Sequence, residues 1–355
     1  MLETWGWSDA LQRDFSAHAA DGLIAGRVIL QQRGLYGLVT EFGEVRAEIS
    51  GRLARDAVVG GYPAAGDWVA LADGGPGELA IIHHVLSRRT AFTRKAAGPG
   101  GGIQVVAANV DLAFLVAALN GDLNPRRLER YLASAWQSGA TPVVVLTKAD
   151  LCPDVAAAVA EVETMAVGAP VLAISSRTGE GLDAVRAYLA PGRTAVMVGS
   201  SGVGKSTLLN ALMGSERMAT GAVREADGRG RHTTSHRELI ALPGGGLLLD
   251  TPGMRELGLW DSDEGVAAVF EDIESLAASC NFGDCGHTNE PGCAVRAALE
   301  RGALDDGRWQ NYRKLQRELA FADAKEDPAL RAARRRQWVA ITKAQRSGKK
   351  ARGKD

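Results

Sequence analysis

Cysteine is scarce in this chain, long apolar runs are missing, and neither sign of charge prevails. Only four cysteines, Cys152, Cys280, Cys285 and Cys293, occur in 355 residues, too few for a disulfide scaffold. No uninterrupted apolar run reaches the length of a membrane span. Residues 1–14 lack the basic-then-apolar pattern of a signal peptide. A cytoplasmic protein with no membrane partner is therefore expected. Lysine and arginine number 41 against 42 acids, a net charge of −1, which excludes a polycation overall. What is present is ordinary for a soluble globular protein, with 46% hydrophobic and 23% charged residues. The length exceeds one core, so two or three domains are expected. The charge is unevenly spread. Arg331, Arg334, Arg335, Arg336, Lys343, Arg346, Lys349, Lys350, Arg352 and Lys354 follow one another without an acid between them. Such a block is a footprint for nucleic acid or another polyanion, or a solvated tail; on charge alone both readings stand.

Residues 22–90 read as five short strands broken by glycine, near 26–30, 37–40, 45–49, 67–71 and 80–82. That spacing predicts a small closed barrel, with an OB-fold the leading candidate and other small barrels open. Residues 98–102 are glycine-rich and read as a linker. From 105 the pattern changes. Residues 110–116 form a continuous apolar strand, as in a buried parallel sheet. A helix follows, with Asn124 as its cap, Pro125 in its first turn and Gly139 at its end. Strand and helix then alternate to residue 198, which predicts a doubly wound α/β domain. Beyond 258 the reading is helical, with helices expected over 266–278 and 309–324. The expected organisation is a multidomain α/β chain: an N-terminal segment and barrel over 1–97, a linker over 98–104, an α/β nucleotide domain over 105–258, a helical metal-binding domain over 259–330 and a basic tail over 331–355. A monomer is expected.

Gly199-Ser200-Ser201-Gly202-Val203-Gly204-Lys205-Ser206 matches the P-loop pattern in full. A predicted strand precedes it and a predicted helix follows it. Glycines let the backbone curl so that its N–H groups face phosphates, and the helix N-terminus adds a favourable dipole. Lys205 is expected on the β- and γ-phosphates, Ser206 on Mg²⁺, and Thr207 beside them in the binding set. Asp250-Thr251-Pro252-Gly253 follows the apolar run 247–249. Asp250 is expected to hold Mg²⁺ through water, and the Gly253 N–H to sense the γ-phosphate. Between the two motifs lies Gly228-Arg229-Gly230-Arg231-His232-Thr233-Thr234-Ser235-His236. A threonine there, Thr234 ahead of Thr233, completes the Mg²⁺ shell when the γ-phosphate is bound.

Thr147-Lys148-Ala149-Asp150 closes another strand and is similar to the guanine-reading motif of GTPases, usually Asn-Lys-x-Asp. A carboxylate accepts from the two N–H donors on guanine's Watson–Crick edge. Adenine lacks that pair, so ATP would leave Asp150 facing an unmatched acceptor. Lys148 supports the loop. Thr147 departs from asparagine, so one contact is expected to be lost. Ser175 and Ser176, with Arg177, resemble the second guanine loop. These elements precede the P-loop, whereas GTPases ordinarily place them after it. The order is circularly permuted.

Cys280-x₄-Cys285-x-His287-x₅-Cys293 offers three thiolates and an imidazole within a short stretch. The set fits one closed, structural tetrahedral Zn²⁺. Gly283, Gly286 and Gly292 are expected to permit the tight loop.

Together these motifs resemble the ribosome small-subunit-dependent GTPase A family of bacterial circularly permuted GTPases, over nearly the whole chain. The resemblance implies an OB-fold, a central circularly permuted P-loop GTPase binding GTP or GDP with Mg²⁺, and a zinc-binding C-terminal domain. It implies a late role in maturing the small ribosomal subunit, with hydrolysis stimulated by that subunit. Barrel and tail are then expected to bind rRNA. Many GTPases place a water-orienting glutamine where this chain has Met254, so His232 is the expected water-positioning residue. The competing reading is a nucleotide-gated RNA-binding module or chaperone with incidental hydrolysis; an ATPase is opposed chiefly by Asp150.

Overall fold

The computed structural model describes residues 1–32, 34–56, 61–75, 77–95, 103–120, 123–215, 237–250 and 263–326. The chain divides into two units, Met1–Gly258 and Leu259–Asp355.

The first unit opens with helix α1 (Asp9–Ala20) and strands β1 (Ile24–Gln31), β2 (Tyr36–Thr40) and β3 (Gly43–Ile49). Helix α2 (Gly51–Asp56) leads to β4 (Trp68–Ala72) and β5 (Ala80–Val85). The strands close in the order β1-β2-β3-β5-β4 and back to β1, with β3 and β5 parallel. This is the five-stranded barrel expected from the sequence, in OB-fold order. Period-two alternation sorts its residues. Val69 and Leu71 join Val28, Leu38 and Ile82 inside. Trp68 and Ala70 point the other way, against Leu11 and Phe15 of α1.

The hairpin of β6 (Ala91–Lys95) and β7 (Ile103–Ala108) leads into the α/β layer. The stretch expected as a linker lies, from 98 to 102, outside the described residues. The layer runs β8 (Leu112–Ala118), α3 (Pro125–Ser138), β9 (Thr141–Thr147), α4 (Val155–Met165), β10 (Val171–Ala173), α5 (Leu182–Tyr188), β11 (Thr194–Val198), α6 (Lys205–Met213), β12 (Arg237–Ala241) and β13 (Leu247–Asp250). Its strand order is β10-β9-β8-β11-β13-β12, parallel except for β12. Helix α3 begins and ends where its signals predicted. Asn124 Oδ1 accepts from the Arg127 N–H at 3.1 Å, and Gly139 takes a left-handed φ of 82°.

The barrel and this layer share one sheet, because β1 also pairs with β12, Leu30 opposite Glu238 and Gln31 opposite Arg237. A second tie is Arg27, which is almost fully buried. Its guanidinium donates to the carbonyls of Trp5, Gly66 and Asn109 and to Thr194 Oγ1 at 2.8 Å. Burial pulls its pKa down to about 10, and it stays charged at neutral pH. Thr194 starts β11, so a barrel side chain anchors the strand that feeds the phosphate loop.

The second unit holds α7 (Asp263–Val269), α8 (Glu271–Ala278), α9 (Ala294–Glu300) and α10 (Asp306–Glu326). One helix was expected over 266–278, but the chain breaks at Phe270. That residue leaves helical geometry at ψ 34° and buries its ring fully. It lies edge-on to Tyr312 at 5.5 Å, with Arg308 over its face at 4.7 Å. Packing of one large side chain overrides local propensity here. No described helix is long and apolar enough to cross a membrane.

Candidate functional site

The nucleotide motifs meet at the carboxyl ends of the parallel strands, where open α/β sheets bind ligands. Strand β11 is buried throughout and delivers Gly199 against β8. A Cβ on Gly199 would stand 2.4 Å from the Val116 carbonyl oxygen, so only glycine lets the loop turn there. Gly204 has a φ of 101° and precedes α6 without a side-chain cap. The N-cap glycine offers no side-chain acceptor to the first-turn N–H groups, those of Ser206 and Thr207 among them, and this end of the helix suits an anion. Lys205 Nζ donates to the carbonyls of Gly199 at 2.7 Å and Ser200 at 2.5 Å. Ser201 and Gly202 form the exposed rim, while Val203 is buried. Arg127 of α3 reaches the loop from outside, its Nη1 donating to Ser200 Oγ at 2.5 Å. Asp250 ends β13, one residue past Leu249, which pairs with Val196 of β11. It therefore lies at the same sheet end as the loop.

The candidate guanine elements are joined to this loop by direct bonds. Thr147 ends β9, is buried, and donates its hydroxyl to the Val203 carbonyl at 2.5 Å. The departure from asparagine thus keeps a tie to the phosphate loop. A hydroxyl has one proton to give, and the Val203 carbonyl at 2.5 Å and the Ala117 carbonyl at 3.2 Å share it, so this side chain has none left for a base. Lys148 adopts a left-handed φ of 60°, and its Nζ donates to the Gly202 carbonyl at 2.9 Å. The Ala149 N–H donates to the Ile174 carbonyl at 3.0 Å, tying the first guanine loop to the second.

Asp150 Oδ1 accepts from Ser175 Oγ at 2.7 Å, and Oδ2 accepts from Arg177 Nε at 2.9 Å. The Ser175 hydrogen bond, then Arg177, hold its carboxyl below the ordinary aspartate value, so it is an ionised acceptor. Beside it the Ser176 hydroxyl oxygen is buried and has no hydrogen-bond partner among the described residues, which suits a polar ligand edge. Sequence reading placed Arg177 in the second guanine loop without its bond to Asp150, and left Arg127 without a role. The signal for Arg127 was its place in a helix first turn that holds two cations and no acid, against the dipole preference.

His232, Thr234 and Gly253, with Thr233, Thr251 and Met254, lie outside the described residues, as does the basic tail from 331.

In the second unit, Cys280, Cys285, His287 and Cys293 bring their ligand atoms within 4.8 Å of one another. Cys280 Sγ is 3.9 Å from Cys293 Sγ and 3.6 Å from His287 Nδ1, which is 3.4 Å from Cys293 Sγ. A tetrahedron built on ordinary zinc bond lengths has S···S edges of about 3.8 Å and S···N edges of about 3.6 Å. The donor set and its spacing therefore fit zinc. Of the three glycines expected to shape the loop, Gly292 takes a left-handed φ of 73°; the other left-handed residue of the cluster is His287 itself, at 55°. Glu290 braces the loop, accepting the N–H groups of Thr288 at 2.8 Å, Asn289 at 2.9 Å and Gly286 at 3.1 Å.

The chain is similar to known proteins over most of its length. A family model described as RsgA GTPase matches residues 85–260. A small ribosomal subunit biogenesis GTPase RsgA of Opitutus terrae is 48% identical over 363 residues, 99% of this chain and 99% of that relative. One of the same name from Streptomyces avermitilis is 48% identical over 340 residues, 95% of this chain and 90% of its own. Among solved structures, YjeQ from Thermotoga maritima is 27% identical with a TM-score of 0.63, covering 84% of this chain and 98% of that one. YloQ, described as a circularly permuted GTPase, is 24% identical with a TM-score of 0.60 over 84% and 95%, and supports the fold.

Proposed function

The chain belongs to the RsgA GTPase family, and from that premise we propose that it hydrolyses GTP to GDP and phosphate as a factor in late maturation of the small ribosomal subunit. The observation that carries the guanine assignment is the ionised Asp150, held by Ser175 and Arg177 and joined to the phosphate loop through Thr147. Phosphoryl transfer is mostly positioning and charge stabilisation. Lys205 neutralises the β- and γ-phosphates, while Ser206, Thr234 and, through water, Asp250 would hold Mg²⁺, which would supply charge neutralisation on the phosphates. Gly253 senses the γ-phosphate, and His232 orients the attacking water when the subunit is bound. Zn²⁺ in the cysteine cluster is structural, since four protein ligands leave no open position. The OB-fold barrel supports rRNA binding, and the basic tail adds salt-sensitive phosphate contacts. The protein acts in the cytoplasm, as a monomer.

The test is GTP turnover by the purified protein with and without small ribosomal subunits, with ATP as control. Stimulation restricted to GTP is expected. Tight GTP binding without stimulation would sink the subunit-activated reading. His232→Ala is expected to lose the stimulation while keeping GTP affinity; a variant with full stimulated turnover removes His232 from the mechanism.

A further inference from the structure

We propose that Arg127 is a positioning residue for the phosphate loop, holding Ser200 so that the first turn of the loop is preset for nucleotide. The proposal rests on the GTPase reading above, and it concerns a residue outside the P-loop and guanine motifs.

The first observation is electrostatic. The N-terminal turn of α3 carries Arg126 and Arg127 and no acid. Cations at that end oppose the helix dipole, which favours acids there. Arg126 is answered locally, its Nη1 lying 2.9 Å from Oε1 of the buried Glu129. Arg127 instead spans 73 positions of sequence to reach Ser200 Oγ. A local preference broken in favour of a distant contact is what a functional arrangement leaves behind.

The second observation is anchoring. The backbone N–H of Arg127 is fixed by Asn124, at 3.1 Å to its Oδ1 and 3.1 Å to its carbonyl oxygen. Its side chain therefore extends from a rigid helix start and not from a loop. A guanidinium keeps its charge at all working pH values.

The third observation is where Ser200 stands. The ammonium of Lys205, the group that meets the phosphates, lies on the carbonyls of Gly199 and Ser200. These two residues are thus the loop turn beside the β- and γ-phosphate end. Gly199 is fixed by its close approach to Val116. Ser200 is followed by the exposed Ser201 and Gly202, and its side chain is held by Arg127 while Lys205 takes its carbonyl and Lys148 holds Gly202 beyond it. Holding that turn lowers the ordering cost of binding and keeps a fixed positive charge behind the anion.

The experiment is a double-mutant cycle on the full-length protein, with GDP and a non-hydrolysable GTP analogue as probes. Arg127→Ala and Ser200→Ala are each expected to weaken both nucleotides by roughly tenfold, the scale of one charged hydrogen bond. If the two act as one unit, the double variant loses no more than the worse single variant. Arg127→Lys is expected to recover most of the Arg127→Ala loss. The unliganded melting temperature of each variant is expected to match the parent, while its nucleotide-induced rise shrinks. Additive losses, or Arg127→Ala affinity equal to the parent, would overturn the proposal. So would a lowered unliganded melting temperature with intact affinity, which marks a plain structural brace. A parent protein that binds neither nucleotide would instead defeat the GTPase reading itself.

Discussion

The chain builds two candidate ligand sites by opposite routes. The cysteine cluster takes its four ligands from residues 280–293, between α8 and α9. The nucleotide site draws on the ends of four strands between residues 147 and 250, and its parts are tied by Thr147 to Val203, Lys148 to Gly202 and Arg127 to Ser200. A short-range site needs little beyond its own loop and its metal. A long-range site is only as good as the sheet that aligns it. The difference predicts that damage at the cluster stays local, whereas small changes far from the phosphates disturb the nucleotide site.

The largest effect is expected at the metal. Structural zinc ties on the order of 10 kcal/mol of folding free energy to its ligands. Cys293→Ser should abolish stoichiometric zinc and melt the second unit by circular dichroism. GTP affinity should stay within about twofold, as for independent sites. A collapse of GTP binding would erase the contrast.

Two glycines sharpen it. Gly199→Ala forces a Cβ to within 2.4 Å of the Val116 carbonyl oxygen, and overpacking costs about 1–3 kcal/mol; nucleotide affinity should drop accordingly. Gly283→Ala, in the cysteine loop, meets nothing within 4 Å and should leave zinc content and melting unchanged.

Thr147→Val keeps the shape of the side chain but strands the Val203 carbonyl. An unsatisfied buried acceptor costs about 1–3 kcal/mol, so GTP and GDP affinity should both fall about tenfold. Equal affinity in titration calorimetry would mean that the tie contributes nothing.

At the nucleotide site itself, the smallest expected change is with pH. Asp150 has a folded pKa below its usual 3.8. Its carboxylate is therefore ionised above that lowered value and is lost as an acceptor only as pH falls through it. Zinc ligands must be deprotonated, so acid competes directly for them. Lowering pH from 7 to 5 should release zinc while leaving the Asp150 contribution to GTP binding intact. Loss of GTP discrimination before zinc would contradict this ordering.

The same contrast explains how much was legible in the sequence. Cys280 through Cys293 could be read as one ligand set because their chemistry and their proximity coincide along the chain. The P-loop, Asp150 and the caps of α3 were legible because each obeys a local rule. The barrel strands were legible from their alternation. The ties between elements were not. Nothing near Arg27 announces that it reaches Thr194, and nothing near Gln31 that β1 continues into β12. The break at Phe270 was hidden because its cause, packing against Tyr312 and Arg308, lies some forty residues on. Thr147 looked like a lost contact in the sequence, and only the fold supplies its bond to Val203.

The central claim is that an ionised Asp150 reads guanine. The most direct measurement is nucleotide affinity of Asp150→Asn for GTP, ATP and xanthosine triphosphate, whose base carries a carbonyl where guanine has its 2-amino group. An asparagine offers that carbonyl a donor and guanine a mismatch. GTP affinity should fall roughly a hundredfold, and xanthosine triphosphate should bind better than it does to the parent. Unchanged GTP affinity in this variant, or equal binding of ATP and GTP by the parent, would contradict the account.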